Sequence, residues 1–223
     1  MSVDVLFVFV FFLGTKTSHS CYKSTDNNDY GKDTEHSFAH VLRVAQEASS
    51  LLTALGYSAR EAELAWIAGY MHDIGNVVNR VDHAQSGAVM AFRILDKMGM
   101  PPEEIAAVIT AIGNHDESTA FPVNAIAAAL ILADKTDVRR SRVRNSDQVN
   151  ADIHDRVNYA VTQSSIRLDP ESKTITSYLT IDTEICPVME YFEIFLQRML
   201  LCRKAAEHLG TTFRLQINGQ TLL

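Results

Sequence analysis

The sequence predicts a mainly α-helical protein, a helical bundle with a small C-terminal α+β extension made of a three-stranded sheet plus one helix. Three observations lead there. Apolar residues between Thr34 and Arg144 recur at spacings of three and four. Helix-starting and helix-stopping residues punctuate that stretch. After Asn145 the period changes to alternation, with β-branched residues on either side of a turn. The expected divisions are 1–33, an apolar run and polar loop; 34–150, the helical domain; and 151–223, the α+β subdomain.

Taken in order, Val5 to Leu13 is an unbroken apolar run. A membrane-spanning helix needs about 20 such residues, so no membrane partner is expected. Asp4 precedes the run with no Lys or Arg, and no small-x-small site follows Gly14, which disfavours a signal peptide. A strand, or a tail that covers a groove, fits better. Ser18 to Asp33 reads as a polar loop.

The first helix runs from near Thr34 through Phe38, Val41, Leu42, Ala45, Ala48, Leu51, Leu52 and Leu55 to a stop at Gly56. Ser58 with Glu61 three residues on is a capping-box start for Ala59 to His72, closed by Gly75. Asp82 is placed to cap a third helix, His83 to Met98. Pro101-Pro102-Glu103-Glu104 puts proline and acid at the start of a fourth, running to Gly113. Asn124 opens a fifth that continues through Asp134 towards Arg140. Beyond the polar connector Asn145 to Asp152, strands are expected over Tyr159 to Leu168 and Thr174 to Ile181, joined by a turn at Asp169-Pro170-Glu171-Ser172-Lys173. Pro187 opens an amphipathic helix ended by Gly210, and Phe213, Leu215 and Ile217 form a last strand before an Asn218-Gly219 turn.

The formal net charge of -7 argues against a chain that coats nucleic acid, so no nucleic-acid partner is expected. Cys21, Cys186 and Cys202 are odd in number and far apart, which suits free thiols in a reducing, cytoplasmic setting. The histidines are more informative. His36, His40, His72, His83 and His115 fall within one stretch of the chain, with Asp73, Asp116 and Asp134 interleaved. Each sits near a helix end or on a helix able to face a common centre. Imidazole nitrogen and carboxylate oxygen converging from several helices are what a divalent transition-metal site requires.

The order His40, His72-Asp73, Asp134, with Ala65-x-x-Ala68-x-x-x-His72-Asp73-Ile74-Gly75 around the doublet and Leu132-Ala133-Asp134 around the last member, resembles the HD superfamily of metal-dependent phosphohydrolases. His83, in His83-Ala84-Gln85-Ser86-Gly87-Ala88, and His115, in Gly113-Asn114-His115-Asp116, match its two-metal branch. The resemblance covers about Thr34 to Arg144. It implies a first metal held by His40, His72, Asp73 and Asp134, and a second held by His83 and His115 with Asp73 bridging. It also implies two divalent ions drawn from Fe, Mn, Co, Ni, Zn or Mg, and a hydroxide bridging them that attacks phosphorus while the metals hold the phosphoryl oxygens.

Two neighbours stay open between roles. His36, one turn before His40, is either a weak ligand or support for one, or a structural residue. Asp116 is an orienter of His115, an occasional ligand, a general acid for the leaving group, or a cap of the loop to Phe121. Lys135 and the arginines Arg139, Arg140, Arg142 and Arg144 form a basic strip. Lys135, Arg139 and Arg140 are candidate phosphate binders, and a solvated helix end is the plain alternative.

Some features depart from particular branches. No second His and no Gly-Tyr-Pro loop follow His115, which speaks against cyclic-di-GMP cleavage. Asn76 stands where several one-metal nucleotidases carry a water-positioning Glu. The contexts of His83 and His115 are more similar to those of the dinucleoside tetraphosphate hydrolases. The expected activity is therefore hydrolysis of a phosphoester or phosphoanhydride in a small substrate, a nucleotide foremost. A diiron oxygenase using the same ligands remains an alternative. So does a regulatory protein whose C-terminal subdomain senses a ligand or forms a homodimer.

Overall fold

A computed structural model describes residues 38–117, 119–140, 143 and 153–222. The apolar run at Val5 to Leu13, Cys21, His36, Arg142, Arg144 and the whole 145–152 connector lie outside the described residues. Among the described residues no helix is long and apolar enough to cross a membrane.

Helix α1 spans Phe38–Ala54 and buries His40, Val41, Val44, Ala45, Ala48, Leu51 and Leu52, the stripe that a spacing of three and four lays along one face. Gly56, at φ 83°, turns the chain out of it. Helix α2, Ala59–Met71, starts on the capping box: Glu61 N–H donates to Ser58 Oγ at 3.2 Å, and Ser58 N–H donates to Glu61 Oε2 at 3.0 Å. His72 follows as its C-cap, and a 3-10 turn covers Ile74–Val77. Helix α3 is His83–Lys97. Asp82 precedes it in a left-handed conformation at φ 57° and its side chain makes no capping hydrogen bond, contrary to expectation. Helix α4 is Pro102–Gly113 and α5 is Ala125–Lys135. Asn124 caps α5 by accepting from Ala127 N–H at 2.7 Å.

Helix α5 ends at Lys135 rather than continuing towards Arg140. The Thr136 hydroxyl donates to the Leu132 carbonyl at 2.6 Å, and Asp137 N–H bonds back to Asp134 O, so the last turn tightens and releases the chain. Ten of its eleven residues are buried, because α5 is the central rod against which α1, α2, α4 and a C-terminal helix all pack. Its alanines let those neighbours approach.

The C-terminal part contains one element that the sequence pattern hid. Ile153–Ala160 forms helix α6, and strand β1, Val161–Asp169, begins only after it, so Tyr159 is helical. Strand β1 pairs antiparallel with β2, Thr174–Ile181. Helix α7, Val188–His208, then crosses over to β3, Thr212–Ile217, which lies parallel to β2. A short β4, Gln220–Thr221, folds back on β3. Its hairpin turn has Asn218 and Gly219 both at positive φ, as a tight Asn-Gly turn requires. The sheet is therefore four-stranded, order β1-β2-β3-β4, with one more strand than expected. One apolar cluster runs through the helices and under the sheet.

Candidate metal centre

Two close backbone contacts bring the candidate ligands together. A Cβ on Gly69 would meet the Ala45 Cα at 2.7 Å, so α2 crosses α1 at backbone contact, which sets His72 beside His40. A Cβ on Gly75 would meet the His83 carbonyl oxygen at 2.0 Å and Gly87 N at 2.6 Å. The start of α3 therefore rests on the 3-10 turn, and His83 comes to Asp73. His115 arrives from the end of α4 and Asp134 from the last turn of the buried α5.

His40, His72, Asp73, His83, His115 and Asp134 are all buried. His40 Nε2 is 3.3 Å from Asp134 Oδ1 and 3.9 Å from Asp73 Oδ2. His72 Nε2 is 3.3 Å from Asp73 Oδ2 and 3.7 Å from Asp134 Oδ1. His83 Nε2 is 3.4 Å from Asp73 Oδ1 and 3.2 Å from His115 Nε2. Ligand atoms of His40, His72 and Asp134 lie within 4.8 Å of one another, and so do those of His72, Asp73 and His115. Asp73 thus stands between two groups of imidazoles.

The other nitrogen of each ring is held from behind. Nδ1 of His72 faces the Gly69 carbonyl at 2.7 Å, that of His115 the Ile112 carbonyl at 2.6 Å, and that of His83 the Arg80 carbonyl at 3.0 Å. His40 Nδ1 faces Asp137 Oδ2 at 2.7 Å. Carbonyl and carboxylate oxygens only accept, so these partners place the proton on Nδ1 and aim the Nε2 lone pair inward, the arrangement of a metal-ligating histidine. His72 Nε2, fully buried, makes no hydrogen bond there. A buried nitrogen left so is costly unless something electrophilic meets it.

The electrostatics agree. Burial drives the His115 imidazole down to about 3, helped by His72 and Lys135, so it stays neutral. Burial also lowers His83. Burial opposes charge on His72 as well, but the Asp73 and Asp134 carboxylates outweigh it and raise the ring above its ordinary value. Burial would raise Asp134, yet Lys135, His40 and His72 hold its carboxyl well below the usual range. Two buried carboxylates among these imidazoles call for positive charge, and a divalent cation can supply it.

A cavity of about 20 Å³, room for roughly one water-sized body, lies between Asp73, Arg80, His83, His115, Asp134, Lys135 and Arg198. Lys135 Nζ is 2.7 Å from Asp134 Oδ2 and 3.5 Å from Glu117 Oε1, and Arg198 from α7 also pairs with Glu117. Asp116, partly buried, acts on His83 through its charge but does not line the cavity. Arg139 and Arg140 do not reach it either. Arg139 Nε donates to Asp137 Oδ1 at 2.8 Å, while Arg140 Nε donates to the Tyr159 carbonyl at 2.6 Å and its guanidinium lies over the Tyr159 ring. Their expected place beside the metals is corrected by the early end of α5, which turns the chain away after Lys135. His36 is outside the described residues.

Sequence reading missed Arg80, Arg198, Glu117 and Asp137. Arg80 Nη1 lies 3.2 Å from His83 Nε2, so an ion using that nitrogen must displace the guanidinium. Arg80 and Asp137 are each three residues from a ligand, a spacing that could have flagged them. Nothing local flags Arg198.

Fold and site together define a helical domain built around a buried histidine-aspartate centre suited to divalent metal. Residues 37–140 match the HD domain family model. Among solved structures, the chain is similar to a predicted HD superfamily hydrolase from an uncultured Thermotogales bacterium, at 27% identity over 54% of this chain and 66% of that one, with a TM-score of 0.44. No curated protein matches the chain.

Proposed function

We propose that the protein is a metal-dependent phosphohydrolase that cleaves a phosphoester or phosphoanhydride of a small substrate, with nucleotides the first class to examine. The observation that carries this reading is the inward-facing Nε2 of His72, buried without a hydrogen bond between the carboxylates of Asp73 and Asp134. Divalent ions held by His40, His72 and Asp134 and by Asp73, His83 and His115 would supply activated water near neutral pH and a positive anchor for phosphoryl oxygens.

The chain's own cations supply the rest of the anion recognition. Lys135, Arg80 and Arg198 surround the cavity. Glu117 engages Lys135 and Arg198 in the way a phosphoryl oxygen of the substrate would, and a bound phosphate can take its place. Asn76 donates to Asp73 Oδ1 at 2.8 Å and so fixes the carboxylate that faces both imidazole groups.

The test is phosphate release from a panel of nucleotides and sugar phosphates by metal-reconstituted protein, with bound metal measured on the same sample. Metal-dependent release that disappears on chelation is expected. A fully metallated protein that releases phosphate from none of them would overturn the reading, and oxygen uptake by the iron-loaded protein would move it to oxygenase chemistry.

A further inference from the structure

A second cavity, of about 470 Å³, opens between Arg43 of α1, Arg139 and Arg140 beyond α5, and Thr162, Gln163 and Ser164 of β1. Its volume falls in the range of small-ligand sites, roughly 300–1,000 Å³, and far exceeds that at the histidines. Among the described residues, the six that line it include no carboxylate. The arginines are held in place from behind: Arg43 Nη2 donates to the Ser164 carbonyl at 2.7 Å and Arg140 Nε to the Tyr159 carbonyl, and neither contact neutralises charge.

Among the described residues, one carboxylate is shared by several of these side chains. Asp137, fully covered, is shared among Arg43 at 3.3 Å, Arg139 at 2.8 Å and His40 at 2.7 Å. Asp182 stands 3.9 Å from Arg140 Nη2, beyond hydrogen-bond reach, and that nitrogen makes no hydrogen bond although it is shielded from solvent. Glu47, one turn along α1, also acts on Arg43 but does not line the groove. A register irregularity of β1 between Val161 and Gln163 shapes the opposite wall. On a chain of net charge -7, this is a preformed cationic groove.

We infer that the groove lined by Arg43, Arg139 and Arg140 is a second anion site, separate from the histidine centre, that binds the phosphate or pyrophosphate end of a small ligand. Guanidinium forks fixed by backbone carbonyls are preorganised for phosphoryl oxygens, and the Gln163 amide adds a neutral donor. Asp137 ties the site to the centre, because the carboxylate that Arg43 and Arg139 grip also orients His40.

The test is calorimetric titration of inorganic pyrophosphate into the full chain, stripped of metal and dialysed free of chelator. Saturable binding that weakens with added salt is expected. Arg43→Gln and Arg140→Gln should each weaken it about tenfold or more. Because those arginines also anchor β1, Gln163→Glu serves as the second variant: it leaves the carbonyl contacts intact and places a negative charge at the rim, and should weaken binding to a similar degree. Asp73→Ala should leave binding unchanged, which separates this site from the proposed catalytic centre. No saturable binding, binding indifferent to all three groove variants, or binding lost in Asp73→Ala instead would overturn the inference.

Discussion

The histidine centre and the arginine groove lie on either side of one carboxylate, Asp137, and they handle charge in opposite ways. At the centre, six candidate ligands are buried and the outer nitrogens of the four imidazoles are tied down, but the inner atoms face one another across a space that takes about one water-sized body. In the groove, the guanidiniums are partly exposed and face a broad opening. The difference teaches that a run of charged residues says little about function until the partners behind each charge are known. The centre has imidazole nitrogens and carboxylate oxygens converging inward, and such an arrangement suits a cation. The groove has cations supported from behind, and it can only attract an anion.

The most severe way to break the comparison is to empty the centre. Asp73→Ala removes the carboxylate that faces both imidazole groups. It should abolish stable metal binding and lower activity by several orders of magnitude, read by metal analysis and turnover together. Near-normal turnover with full metal occupancy would sink the proposed ligand set. His83→Ala should be milder, dropping the metal-to-protein ratio from about two to about one.

Asp137→Asn touches both regions at once. It keeps the shape but weakens the acceptor that orients His40, so metal affinity should fall by about 10- to 100-fold, as for other residues that support a ligand from behind. Competition with a chelator of known strength measures this. An unchanged affinity would show that the 2.7 Å contact to His40 is structural only.

Packing of the centre is tested by Gly75→Ala. The new methyl has no room against the His83 carbonyl, so the start of α3 must move, at a cost of about 1–3 kcal/mol in urea unfolding. Loss of the metal held by His83 should accompany it. A stable variant with both ions would mean that the contact is looser than the geometry states.

The smallest effects sharpen the contrast between the two sets of cations. Lys135→Gln and Arg198→Gln should lower kcat/KM about tenfold with metal content unchanged, because each side chain lines the small cavity. Arg139→Gln should stay within about twofold with substrate alone, since its guanidinium is on Asp137 and not at the centre. Steady-state kinetics on the same substrate decide it. A larger loss in Arg139→Gln than in Arg198→Gln would reverse the assignment.

Much of this protein is determined locally and was therefore legible. The Ser58-Glu61 capping box, the Asn124 cap, Pro101-Pro102 and Gly56 act within one turn of chain, so helix limits follow from neighbouring residues. The order of the candidate ligands His40, His72-Asp73, His83, His115 and Asp134, which the fold buries together, likewise follows the spacing that carries the HD resemblance. Helix α6 escaped because its eight residues lead straight into β1 with no Gly or Pro between them to mark the boundary. What only the tertiary structure decided is which charges share a space. Arg198 reaches the cavity from α7 because that helix packs on α5, a contact between segments far apart in sequence. Arg139 and Arg140 leave it because the Thr136 hydroxyl ends α5 a turn early and rotates everything after it. A side chain's type and local period come from its neighbours along the chain, whereas its electrostatic partners come from packing, and function here depends on the partners.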